Sequence, residues 1–294
     1  VRIARIAGTD ILVNPPVMVL FAAAACLGYL TRGLLLAAAV IVHETAHAAA
    51  ASFLGYRLEE IRVFPLGGSV RVGGMFGLDP AAEAFVALAG PAASIALAMC
   101  AVMLKDHGFM PHPHGEFFVA INTMIFLFNL LPALPLDGGR LFRSILSFRL
   151  GIVDATRAVY LSGNIIAGLL ALLALCLGLG SPLGLSMAAA AVFLFFAGAQ
   201  ERKMASSLAI TQAGSKGGLL HKKGLLRSKT FVAAYNASGK RVISRFVPGY
   251  YHIVFVVGKN GEVLGKATEQ EIISGMIRYG YNVRMEQIIR MQNQ

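Results

Sequence analysis

Two histidines, His43 and His47, stand four residues apart, with Glu44 between them, in the run VIVHETAHAAAASF from Val40 to Phe53. In a helix, positions i and i+4 lie on one face, because successive residues advance about 100°. Two neutral imidazoles placed this way can share one Zn²⁺, and an adjacent glutamate can polarise a water at that metal. This is the H-E-x-x-H pattern of metal-dependent hydrolysis. The run is otherwise apolar from about Gly33 onward. An ionisable residue at mid-bilayer costs about 2.5–3.5 kcal/mol on insertion scales, so one that is kept there usually serves a function. The bland alternative is a buried polar cluster that merely links helices.

A third ligand has a natural candidate. A later apolar stretch ends in NLLPALPLDGG, from Asn129 to Gly139. Pro132 and Pro135 break the helix there, and Gly138 and Gly139 permit an irregular path. Broken backbone at membrane depth is tolerated where it is buried in protein or lines a polar cavity. Asp137 is therefore the expected third ligand rather than a simple helix cap. Two histidines and one carboxylate leave a fourth position open for water, as a catalytic zinc requires. One Zn²⁺ per chain is expected. His107, His112 and His114 share a polar loop, where exposed histidines usually bind nothing.

The composition says what must position these residues. The 294-residue chain is 56% hydrophobic and 14% charged, with a mean hydropathy of +0.68. That is too apolar for a soluble domain and too long for one span, so a polytopic membrane protein is expected. The net charge of +11 reads as the cytoplasmic bias of a membrane protein, not as a nucleic-acid surface. Cys26, Cys100 and Cys176 fall in apolar runs and read as inert packing residues.

The expected fold is mainly α, with six transmembrane helices near 16–30, 34–54, 81–104, 116–131, 159–179 and 183–199. A membrane-surface β-hairpin is expected over 58–74, turning at Gly67-Gly68, and its free edge could accept an extended peptide. Six spans place both termini on one side, with the arginines near residues 2–5, 57–71 and 140–157. The positive-inside rule makes that side cytoplasmic. Residues 1–199 form the six-span domain, and 200–227 read as a basic linker that touches the lipid bilayer. Residues 228–294 read as a small α/β cytosolic domain, with a strand at 253–257, a turn at Asn260-Gly261 and a helix over 269–278.

With these residues in hand, the chain resembles the site-2 proteases, a family of intramembrane zinc metalloproteases. The residues that carry the resemblance are His43-Glu44-Thr-Ala-His47, Ala89-Gly-Pro91, Asn129-Leu-Leu-Pro132 and Leu136-Asp137-Gly138, with the Phe64-Pro-Leu-Gly-Gly68 hairpin. Two positions depart from the family pattern. Ser94 stands where many members have Asn, and Leu134 replaces a frequent proline; neither is expected to touch the ligands. About Ser228 to Tyr281 resembles a single CBS domain, carried by Gly261-Glu-Val-Leu-Gly265-Lys-Ala-Thr268-Glu-Gln-Glu271. That resemblance implies ATP or another adenine nucleotide near Thr268 and Glu271, and a homo-oligomer formed by CBS pairing between chains.

Six spans, a compact protease core and one terminal CBS domain resemble the sporulation branch of the family. This implies cleavage of a membrane-associated sigma-factor precursor, restraint by inhibitory membrane proteins, and a place in the outer membrane around the forespore, facing the mother cell. The alternative within the family is action on anti-sigma factors. The expected mechanism is peptide-bond hydrolysis at a zinc held by His43, His47 and Asp137. Glu44 is the general base, and Asn129 positions the substrate. A rival of another class is a divalent-metal transporter with a CBS regulatory domain. No second ionisable cluster and no broken-helix repeat supports it. A non-enzymatic membrane scaffold leaves the ligand trio unexplained.

Overall fold

The computed structural model describes residues 2–6, 9–13, 15, 25–64, 67–72, 79–110 and 112–292. They form a mainly helical chain. Its order is β1 (Arg2–Ile6), β2 (Thr9–Val13), α1 (Leu30–Phe53), β3 (Leu58–Phe64), β4 (Gly67–Val72), α2 (Pro80–Asp106) and α3 (His114–Asn129). Then follow α4 (Asp137–Leu150), α5 (Ile152–Leu177), α6 (Pro182–Lys223), β5 (Arg227–Ala234), α7 (Gly239–Ile243), β6 (Tyr250–Val257), β7 (Val263–Thr268), α8 (Glu269–Tyr279) and α9 (Met285–Gln292). Two compact units result, one formed by Val1–Phe76, Ala81–Pro132 and Leu136–Leu141, the other by Gly77–Pro80, Ala133–Pro135 and Phe142–Gln294.

Among the described residues, four helices are long and apolar enough to cross a membrane: Leu30–Phe53, Pro80–Asp106, Ile152–Leu177 and Pro182–Gly214. The expected first span falls largely on residues outside those described. The expected fourth is α3, whose 16 residues reach about 24 Å at 1.5 Å each, short of a hydrocarbon core of about 30 Å. The cysteines, expected inside the packing, are exposed on the protein surface.

The first unit is organised by α1. Its Ala-rich sequence holds no Gly or Pro beyond its first turn, and its buried side is Ala39, His43, His47, Ala48, Ala50 and Ala51. The spacing is that of one helical face. Gly55 ends the helix at φ +82°, a left-handed conformation that suits glycine. The expected hairpin is present as β3 and β4, paired antiparallel with Phe64 opposite Gly67. Gly67 and Gly68 thus lie within β4, and the reversal falls between Phe64 and Gly67. The hairpin belongs to a larger sheet, ordered β1-β2-β3-β4. β2 and β3 run parallel, which requires a crossover, and α1 lies in it.

In the second unit, α5 and α6 pack along one another. The expected linker is not a linker through most of its length: α6 continues unbroken to Lys223. Its extension buries Ala205, Ala209, Gln212, Ala213 and Lys216. Ala209 and Ala213 join a core with Ile243, Val254, Val256, Ile272 and Ile288. That burial is the physical reason a basic, polar stretch stays helical here. The C-terminal sheet has the order β5-β6-β7, parallel then antiparallel. Gly261 sits at φ +84° in the Asn260-Gly261 turn, as the sequence predicts.

Candidate metal centre

His43 and His47 project from α1 and Asp137 opens α4, all three buried. They are the one group of three metal-ligating side chains found together among the described residues. His43 Nε2 lies 3.2 Å from Asp137 Oδ2, His47 Nε2 lies 3.1 Å from the same oxygen, and the two Nε2 atoms are 3.2 Å apart. Donors about 2.0 Å from a tetrahedral zinc stand about 3.3 Å from one another. The triangle therefore matches three corners of such a coordination shell.

Hydrogen-bond bookkeeping points the same way. His47 Nδ1 lies 2.7 Å from the Val86 carbonyl oxygen. A carbonyl only accepts, so Nδ1 carries the proton and the neutral ring presents a lone pair at Nε2. That lone pair faces the oxygen of Asp137, itself an acceptor when ionised. Two acceptors in contact require a cation or a proton between them. His43 Nδ1 lies 2.9 Å from Ser94 Oγ, which again leaves Nε2 to face the centre when Nδ1 donates.

α2 supplies the setting through residues spaced by four. Val86 accepts from His47, Ser94 meets His43, and Gly90 stands between them on the same helical face. A Cβ at Gly90 would lie 2.2 Å from His47 Nε2 and 2.8 Å from His43 Cε1, so only glycine leaves room for the rings. On the other side, a Cβ at Gly138 would lie 2.2 Å from the Leu130 carbonyl oxygen. The bend that presents Asp137 thus depends on this glycine.

Other sequence expectations fare differently. Glu44 is half-buried, next to His43 on α1. Asn129 is half-buried too, and its Nδ2 donates to the Ile125 carbonyl 3.0 Å away. Ser94, expected to stay clear of the ligands, is the partner of His43, which corrects the sequence reading. The signal was available: Val86, Gly90 and Ser94 repeat at the i, i+4 spacing of the two histidines they face. Leu134, the other departure, is buried. Thr268 and Glu271 form the capping box of α8. Thr268 Oγ1 is 2.7 Å from Glu271 Oε2, so these two side chains satisfy one another. His112 pairs with Glu116 at the surface, 2.6 Å away.

Residues 33–110 match the model of peptidase family M50. The chain is 30% identical over 174 residues to zinc metalloprotease MJ0392 of Methanocaldococcus jannaschii, covering 58% of this chain and 49% of that one. It is 35% identical over 146 residues to stage IV sporulation protein FB of Bacillus subtilis, covering 49% and 50%. The chain spans about half the length of these curated relatives. The solved site-2 protease from Methanocaldococcus jannaschii is similar over 69% of this chain and 94% of that one, with a TM-score of 0.52 and 28% identity. The part of the chain that carries His43, Glu44, His47, Gly90 and Ser94 thus matches peptidase family M50, and the chain is similar in structure to a solved site-2 protease.

Proposed function

We propose that the chain is a zinc endopeptidase that hydrolyses a peptide bond of a membrane-associated protein. The observation that carries this reading is the meeting of three lone-pair donors, 3.1 to 3.2 Å apart, in a buried site. His43, His47 and Asp137 would hold the metal, which supplies Lewis-acid polarisation of a water. Glu44 takes a proton from the attacking water and returns it to the leaving amine nitrogen. Ser94 and the Val86 carbonyl hold the two imidazoles in the required orientation. Asn129 is a positioning residue for the substrate, whose chain must be extended before its carbonyls can be reached. The edge strand β4 offers a template for that extension.

The finer reading is a sporulation protease that acts on a sigma-factor precursor. Support for it comes from the similarity to stage IV sporulation protein FB and from the motif set; a site-2 protease acting on anti-sigma factors is the second choice. The arginine bias supports a cytoplasmic side for both termini. CBS pairing and an adenine nucleotide at the C-terminal unit rest on resemblance alone.

The test uses purified wild type and Glu44→Gln with a tagged, membrane-associated sigma-factor precursor, with bound zinc measured in parallel. Cleavage by wild type alone, with zinc in both, is the expected result. Full cleavage by Glu44→Gln would overturn the general-base role, and absence of zinc from both would overturn the metal site.

A further inference from the structure

The end of the α5–α6 hairpin carries a second feature, independent of the metal centre. Arg202 lies over the Tyr160 ring, 4.6 Å from its centroid, and Glu201 pairs with Arg143 at 3.1 Å. From Pro182 to Arg202 the helix rises about 30 Å, the thickness of a bilayer's hydrocarbon core. Charged and aromatic residues are expected at that depth, since amphipathic side chains seek the interface. The next turns of α6, Ser206 to Ile210, therefore stand at the level of the lipid headgroups.

There a cavity of about 310 Å³ opens between the first turns of α5, this part of α6 and the segment Ser238–Ser244 around α7. Its lining includes Arg157, Lys240 and Arg241, with hydroxyls from Ser206 and Ser244 and an apolar floor. Among the described residues these three cations form no ion pair. The one carboxylate in the lining, Asp154, is held 3.1 Å from the Arg245 guanidinium. The cavity is thus left with three uncompensated positive charges and the Ser206 hydroxyl, while the Ser244 hydroxyl donates to the Arg241 carbonyl, 2.7 Å away. Guanidinium groups and hydroxyls in a concave site suit a phosphate, whose several oxygens each accept hydrogen bonds.

We propose that this cavity binds a phosphate group at the membrane surface, carried by an anionic phospholipid or by a soluble phosphate compound. Occupancy ties α7, and with it the C-terminal sheet, to the ends of the membrane helices. The location at headgroup depth favours a lipid, and the same lining would serve a soluble phosphate.

The experiment titrates the full chain in detergent with dioleoyl phosphatidylglycerol, with dioleoyl phosphatidylcholine, and separately with inorganic phosphate and ATP. Bound species are read by native mass spectrometry. Three proteins are compared: wild type, Arg157→Gln/Lys240→Gln/Arg241→Gln, and the off-cavity control Lys203→Gln/Lys259→Gln/Lys266→Gln, all checked for monodisperse elution and melting temperature. Phosphatidylglycerol binding should weaken about fivefold per cavity charge, roughly hundredfold in the triple variant, and little in the control. Competition by phosphate or ATP would identify a soluble source; its absence would identify the lipid. Equal losses in both triples would reduce the effect to general surface charge and overturn the site. So would equal binding of the two lipids with no binding of phosphate or ATP.

Discussion

Among the described residues, two buried clusters built from histidine and carboxylate solve the same electrostatic problem in opposite ways. In the first, the Val86 carbonyl holds the proton on His47 Nδ1, so that His47 Nε2 meets Asp137 as acceptor against acceptor, and Ser94 engages the other nitrogen of His43. In the second, Glu269 is fully buried and Oε1 accepts from Lys216 Nζ at 2.9 Å, from the His252 backbone N–H at 2.9 Å and from His252 Nδ1 at 2.5 Å. His252 Nε2 accepts the Val247 N–H at 3.3 Å, which fixes the proton on Nδ1. The cation is built in as Lys216. What distinguishes a metal site from a structural ion pair is therefore not the residue types. It is whether the surrounding hydrogen bonds leave the inward atoms as lone pairs or as donors.

Breaking the first cluster should have the largest effect. Asp137→Asn removes the anionic ligand, and bound zinc should fall more than about hundredfold in affinity, beyond the 10–100-fold typical of losing an outer-shell partner. Gly90→Ala should do the same without replacing a ligand, since its Cβ would collide with His47. Metal analysis and cleavage assays read both. If Gly90→Ala kept normal zinc content, the fit described for α2 against the two rings would be wrong.

Lys216→Met tests the other side of the contrast. It leaves the Glu269 charge buried without its cation, a loss of about 3–5 kcal/mol in stability for a broken buried pair. Zinc content should be unchanged. The double variant Lys216→Met/Glu269→Gln should recover part of the loss, because neither charge then remains. Denaturant melts followed by hydrogen exchange in the C-terminal unit decide it. A smaller effect is expected of Ser94→Ala. It frees His43 Nδ1 but leaves every ligand in place, so zinc affinity should drop about 10–100-fold.

The sequence reveals one cluster and hides the other for a physical reason. His43, Glu44 and His47 are local, periodic and conspicuous in an apolar run, and Asp137 follows a helix break that only a buried cavity accommodates. Lys216 sits in a basic stretch that reads as a linker, and only the packing of α6 against the C-terminal core buries it. His252 and Glu269 are 17 residues apart on a strand and a helix, and no spacing rule links them. The sheet that holds β1 and β2 is equally illegible, since β3, the partner of β2, lies across the crossover that contains α1. Ser94 was visible but misjudged, because its value lies in the ring it faces.

The smallest prediction concerns pH. Burial pushes the His252 imidazole below its ordinary value, and the neighbouring Lys216 and Lys229 charges add to this while Glu269 opposes it. Both ring nitrogens are satisfied in the neutral tautomer, and a second N–H at Nε2 would face the Val247 N–H. Phe246 is stacked on the ring, 4.4 Å away at 4°, and offers no acceptor in compensation. The unfolded chain therefore binds a proton at His252 more readily than the folded one. Between the two pKa values stability rises with pH. The contribution is complete above the unfolded value, about 6.5, and is lost as pH falls through the lower folded value. Melting temperatures of the full chain should show this acid step in wild type and lack it in His252→Gln, with bound zinc measured in each sample to separate it from acid release of the metal. An acid step that survives in the variant would mean that a group other than His252 carries the acid sensitivity.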